Sequence, residues 1–152
     1  MVEIAVRAGT RADGETVYER LPAEELGDDC YRLLRSPAFA SGIARGDTIE
    51  QRDEGDCRVL ERSGLLVLRV YARGGISAMA ATLGPALNSF DGEIELETER
   101  MLLISVPVTA GFSAIEAVMA QLIDGRDDAV WRYGNVYDDA GEPLNWWLAA
   151  QK

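Results

Sequence analysis

From Leu65 onward the apolar residues switch repeatedly between two periods, and this alternation limits the available folds more than any other feature of the chain. Leu65 to Arg73 is an apolar, strand-like run closed by Gly74-Gly75. Ile76, Met79, Ala80, Leu83 and Leu87 then recur at helical spacing, with Pro85 expected to disturb the last turn. Glu93 to Glu97 and Met101 to Pro107 read as strands. A second helix opens at Ser113, where Ser113 and Glu116 have the spacing of a capping box, and Gly125 ends it. Ala129 to Tyr137 supplies a last strand. The order β-α-β-β-α-β predicts a ferredoxin-like arrangement, with both helices on one face of an antiparallel sheet.

The preceding residues follow a different pattern. Val2–Arg7, Thr16–Leu21, Cys30–Arg35, Thr48–Arg52 and Cys57–Arg62 are short alternating runs separated by turn residues. Val17 and Glu19 fall on one side of their strand, and Tyr18 and Arg20 on the other. Pro22 to Leu26 reads as a single helical turn closed by Gly27, and Asp53-Glu54-Gly55-Asp56 as a hairpin turn. Such spacing predicts a small curled β-sheet or partial barrel. The fold expected is therefore α+β: a β-rich subdomain over residues 1–63, then a ferredoxin-like half over residues 64–152. Ser36 to Asp47, "SPAFASGIARGD", lies between two strands and reads as a corner, with Gly42 and Gly46 at left-handed backbone positions.

The residues absent from the chain exclude much chemistry. It contains no histidine, which removes the usual general base, the Ser-His and Cys-His pairs, and the commonest zinc ligand. The only lysine is Lys152, so Schiff-base and P-loop lysines are excluded as well. "GFSAI" lacks the second glycine of a nucleophile elbow, and "RGGISA" is not a dinucleotide fingerprint. Acid pairs at Asp28-Asp29, Asp127-Asp128 and Asp138-Asp139 sit beside turn residues, where solvated charge is expected. No catalytic residue, metal ligand or cofactor is assigned, and the chain is not expected to be an enzyme. Cys30 and Cys57 lack C-x-x-C spacing and read as buried thiols, a disulfide being open only to an exported protein. With no apolar run near the ~20 residues of a membrane span, and Glu3 early in a strand-like N-terminus, the expected location is cytoplasmic.

Tyr31-Arg32-Leu33, Pro37, Phe39, Gly42, Gly46-Asp47, Ser63-Gly64 and Leu68-Arg69-Val70 form an ordered series. In that order and spacing the chain resembles the bacterial domain-of-unknown-function family numbered 4265, over about Val17 to Tyr137. Ser36, Ala38 and Leu65-Leu66 depart from the family pattern. The resemblance implies a fold and no activity.

Charge supplies the functional expectation. Twenty-six acids against fifteen bases give a net charge of −11, a field that repels nucleic acid and suits either simple solubility or a basic partner. In "GEIELETER", Glu93, Glu95, Glu97 and Glu99 alternate with Ile94, Leu96 and Thr98. An unbroken strand would space its carboxylates roughly 6.6 Å apart on one face and turn Ile94 and Leu96 to the helices. Such a row either protects a sheet edge from aggregation or docks on a basic protein. Downstream, Asp138, Asp139, Trp146 and Trp147 read as a docking segment or as a tail folded back over the sheet or the N-terminal half. The combined expectation is an immunity protein that occludes a basic toxin, such as a nuclease, through Glu93, Glu95, Glu97, Glu99, Asp138, Asp139, Trp146 and Trp147. The alternative is a non-catalytic small-molecule-binding or regulatory module.

Overall fold

The computed structural model describes residues 1–150. Two antiparallel sheets and three helices make an α+β fold. The first sheet is a meander of β1 (Val2–Thr10), β2 (Thr16–Gly27), β3 (Cys30–Leu33), β4 (Thr48–Gln51) and β5 (Cys57–Glu61), in that spatial order. Its edges curl toward each other: Arg7 of β1 lies 3.1 Å from Asp56, and Gln51 donates to the carbonyl of Ala5 at 2.8 Å. Ile4, Val6, Leu21, Ala23, Leu33 and Ile49 fill the concave side. The segment Pro22 to Leu26 is strand, not a helical turn. Ala23 pairs with Val2 and Leu33, and Glu24 and Glu25 pair with Arg32 and Tyr31. Two ladders outweigh the helical preference of a single short turn.

The second sheet holds β6 (Leu65–Ala72), β7 (Glu93–Glu97), β8 (Met101–Pro107) and β9 (Ala129–Tyr133) in the order β7-β8-β6-β9. Helices α1 (Ile76–Ser89) and α2 (Phe112–Ile123) share a core with Leu66, Leu68 and Val70 of β6 and Leu102, Ile104 and Val106 of β8. A short helix, α3 (Trp147–Ala150), follows the last strand. Helix α1 continues through Pro85, giving up the bond to the Ala81 carbonyl; burial of Leu83 and Leu87 on either side offsets that loss. The expected capping box does not form. Gly111 precedes α2 with no side-chain cap, and Glu116 instead accepts a hydrogen bond from the Tyr133 hydroxyl at 2.8 Å.

Both faces of this sheet are covered. Val67, Met101 and Leu103 point away from the helices and pack on Ala38 and Ala44, which belong to the segment between β3 and β4. This explains why β6 and the first six residues of β8 carry almost no polar alternation, since antiparallel strands alternate only where one face is wet. The segment from Ser36 to Asp47 is thus the contact between the two sheets, and more than a corner. Gly42 and Gly46 do take positive φ, +89° and +87°. At Gly46 a Cβ would lie 2.9 Å from Cβ of Ser63, so the close approach of this segment to the end of β5 requires glycine.

Candidate functional site

Strand β7 does not present the row of carboxylates that strict alternation predicts. Its register with β8 pairs Ile94 with Ile104 and then Leu96 with Leu103, leaving Glu95 as a bulge. Ile94 therefore faces the helices while Leu96 faces the loop side, and the acids are divided between faces. Glu93 pairs with Ser105 on the loop side and meets Arg45 at 2.6 Å. The Glu95 side chain is only 4% exposed and bonds Ser36. Glu97 pairs with Leu102 on the helix side and, like Glu99, is exposed. Of the four, only Glu97 and Glu99 leave their carboxylates free of the fold among the described residues.

The tail lies elsewhere. Strands β7 and β9 are opposite edges of the sheet, separated by β8 and β6, so the exposed Asp138 and Asp139 beyond β9 share no face with the β7 acids. Asp138 accepts the backbone N–H groups of Ala140 and Glu142 at 2.9 Å, closing its own turn. Trp146 donates through Nε1 to the Asn135 carbonyl at 2.9 Å and lies under the Arg62 guanidinium. Trp147 packs edge-on against Phe112 at 5.2 Å, next to Trp131 and Tyr133. Both tryptophans are half-buried, folded back on β9 and α2.

The charged residues that converge do so around Ser36 to Asp47. Glu19 projects from the inward side of β2, where its carboxylate accepts the backbone N–H groups of Ala38, Phe39 and Ala40 at 2.7, 2.9 and 2.9 Å. Arg69, buried in β6, donates to the carbonyls of Pro37, Phe39 and Ala40 of the same turn. The Asp47 carboxylate accepts from Ala44 N–H at 3.0 Å and Ser63 N–H at 2.8 Å, with Arg62 at 3.7 Å. Burial raises the Asp47 carboxyl above its ordinary value, although those donors and Arg62 pull it down. Arg62 in turn donates to the Gly42 carbonyl at 2.7 Å. Charged side chains from both sheets thus satisfy a loop backbone that would otherwise be buried without partners.

Sequence reasoning assigns no functional role to Glu19, Arg69 or Asn135. Asn135 mimics a strand residue, accepting from Val67 N–H and donating to the Leu65 carbonyl. A signal was present for Glu19, which shares the inward side of β2 with Val17 and Leu21, an acid where an apolar residue belongs. All these acceptors are occupied by the protein's own backbone, so the cluster positions a loop and presents no free base or nucleophile. Among the described residues, no group of three or more Cys, Asp or Glu stands close enough to hold a metal ion. None of the described helices is long and apolar enough to cross a membrane.

Two concavities flank the loop. One, of about 600 Å³, lies between the sheet edges β1 and β5 and is bordered by Ala8, Gly42, Val59, Arg62, Asp139 and Leu144. The other, of about 510 Å³, lies on the opposite flank, beneath Phe39.

The family DUF4265, described as a domain of unknown function, matches residues 19–133. The chain belongs to this family. The DUF4265 region begins at Glu19 and ends with β9, so it contains the Glu19–Arg69 cluster and the β7 acids and leaves out Asp138, Asp139, Trp146 and Trp147. The fold is similar to the crystal structure of a hypothetical protein from Neisseria gonorrhoeae, with a TM-score of 0.69 and 15% identity, covering 87% of this chain and 92% of that one. No curated protein matches the chain. At that identity the likeness concerns the DUF4265 fold alone.

Proposed function

We propose that this DUF4265 protein works by binding and not by catalysis, as a stoichiometric, cytoplasmic inhibitor of a basic protein in the manner of an immunity protein. The observation that carries the reading is where its charge lies. Glu19, Asp47 and Glu95 are turned inward, while a protruding hairpin keeps its acids in water. Residues 24–27 of β2 extend beyond the end of β1 and pair only with β3. Asp28 and Asp29 form the turn at φ of 53° and 62°, beside exposed Glu25 and Leu26. An acidic prong with an apolar residue at its tip suits a basic cleft, where opposite potentials speed encounter. This hairpin replaces the β7 row as the docking surface in the proposal.

The test is affinity capture from the source lysate with the wild-type chain and with a Glu25→Lys/Asp28→Lys/Asp29→Lys variant. Stoichiometric recovery of one basic protein by the wild type, lost with the variant, supports the reading. Equal recovery by both moves the interface elsewhere, and recovery of no partner at any salt concentration removes the inhibitor reading.

The finer architecture belongs to the same proposal. We read the first sheet as a partial barrel and the second half as ferredoxin-like, supported by the order β7-β8-β6-β9 with both helices on one face. A second functional reading, a small-molecule-binding module, is favoured by the two concavities beside the loop.

A further inference from the structure

Phe39 is 64% exposed, yet it stands on one of the most firmly held turns in the molecule. Glu19 takes the amides on either side of it, and Arg69 takes the carbonyls. A large ring shown to water from a fixed backbone is displayed, since a mobile loop could have buried it. The concavity beneath has a floor of Ala38, Leu96 and Met101 and a rim that includes Arg35 and Arg100. Its volume falls within the ~300–1,000 Å³ typical of small-molecule sites.

The local charge runs against the field of the whole chain. Glu19 is the only acid that borders the concavity, and its carboxylate is committed to the three loop amides. Arg35 reaches Glu19 at 3.6 Å and the Arg20 carbonyl at 3.3 Å, but its Nε is buried with no partner. The Arg100 guanidinium has no ion-pair or hydrogen-bond partner among the described residues, in a protein with 26 acids and 15 bases. An apolar floor beside guanidinium donors with unused capacity is complementary to a molecule with an apolar body and one anionic end.

We propose that this concavity binds a small apolar carboxylate, an arylalkyl or medium-chain alkyl acid. The carboxylate sits on Arg100 with Arg35 nearby, and the apolar body lies on Leu96 and Met101 under the Phe39 ring. This inference rests on the small-molecule reading and is independent of the inhibitor reading, whose hairpin lies outside this concavity.

The test is a titration of the full ¹⁵N-labelled chain with octanoate and with 3-phenylpropionate, followed by amide chemical shifts, alongside the corresponding neutral amides. Saturable shifts at Phe39, Leu96 and Met101 are expected, with the acids binding about tenfold or more tighter than the amides. Arg100→Ala removes that preference and Arg100→Lys restores part of it; Arg100 is exposed, so the fold survives both changes. Shifts confined to Ala8, Gly42 and Val59 would place binding in the other cavity, overturning this site while keeping the small-molecule reading. Unchanged affinity in Arg100→Ala also overturns the site. Absence of saturable binding anywhere at millimolar acid overturns the site, and the broader reading then falls only if the 600 Å³ cavity also fails a general ligand screen.

Discussion

Glu95 closes on Ser36 with both carboxylate oxygens, one accepting the backbone N–H at 2.8 Å and the other the hydroxyl at 2.6 Å. The bond spans from the edge of the second sheet to the loop that leaves the first, and the Ser36 hydroxyl also accepts from Arg45 N–H at 2.9 Å. A residue whose neighbours suggest solvated surface is therefore a latch between the two sheets. The bulge in β7 sets Glu95 and Leu96 together on the loop side, because the residues beyond it exchange faces, and the segment that carries Ser36 covers them both.

Substitutions along β7 should separate latch from surface. Glu95→Ala leaves the Ser36 donors unpaired in a buried place and is expected to cost about 3 kcal/mol. Glu97→Ala removes a solvated carboxylate and should stay within about 0.5 kcal/mol. Urea unfolding of both variants measures this, and equal midpoints for the two would refute the latch.

Glu19 should matter at least as much. Glu19→Ala strips the acceptor from three loop amides and leaves Arg69 buried without its nearby carboxylate, with an expected loss of about 3–5 kcal/mol. Glu19→Gln keeps one oxygen for the amides and should recover part of this. Hydrogen exchange at Ala38, Phe39 and Ala40 gives the local readout: these amides should lose protection in the alanine variant while the centre of β8 keeps it. Uniform loss across both sheets would mean that the turn has no stability of its own.

The two cysteines should remain separate thiols. Strand β4 lies between β3 and β5, which puts Cys30 and Cys57 two strand spacings apart, roughly 9–10 Å and beyond disulfide reach. Both are half-buried, less enclosed than the sequence suggests. Burial, with Asp56 beside it, pushes the Cys57 thiol up to about 11. At pH 8 its alkylation by iodoacetamide should be about 100-fold slower than that of free cysteine, because only the thiolate reacts. Peptide-resolved labelling checks this; rapid modification of Cys57 in the folded chain would contradict the burial.

Much of the architecture was legible from periodicity, because long apolar repeats are set by the face a residue must bury. Helix α1 was visible in Ile76, Met79, Leu83 and Leu87 despite Pro85, and β6 in its unbroken apolar run. Long-range partners decided the features that sequence misplaced. Pro22 to Leu26 became strand through pairing with β1 and β3, and the last strand stopped at Tyr133 because Gly134 and Asn135 turn their hydrogen bonds to β6 and the loop. The site was less legible than the fold. A one-residue bulge leaves no mark on an alternating sequence, yet it carried Leu96 to the loop side and Glu97 to the helix side, while the covering segment around Ser36 buried Glu95. Charge composition suggested where acids are plentiful, but not that Glu19, Asp47 and Glu95 would hold a loop backbone.

The pH dependence of stability should carry an unusual contribution from Asp47. Most native carboxylates titrate below their unfolded value and add stability as pH rises. Burial places Asp47 on the other side: its folded pKa lies above the ordinary 3.8, so in that window the folded state holds a proton that the unfolded state has released. Stability then falls with rising pH, because the unfolded chain binds fewer protons than the folded one. The contribution of Asp47 is fully present below 3.8 and declines as pH climbs through the folded value, levelling off above it. Other acids shape the total curve, so the comparison must be with Asp47→Asn, which keeps the shape and cannot titrate. The wild-type advantage over this variant, from urea midpoints at successive pH values, should be largest in acid and shrink toward neutrality. An advantage that grows with pH instead would mean that the Ala44 and Ser63 amides and Arg62 outweigh burial, making Asp47 a conventional charge-stabilised acid.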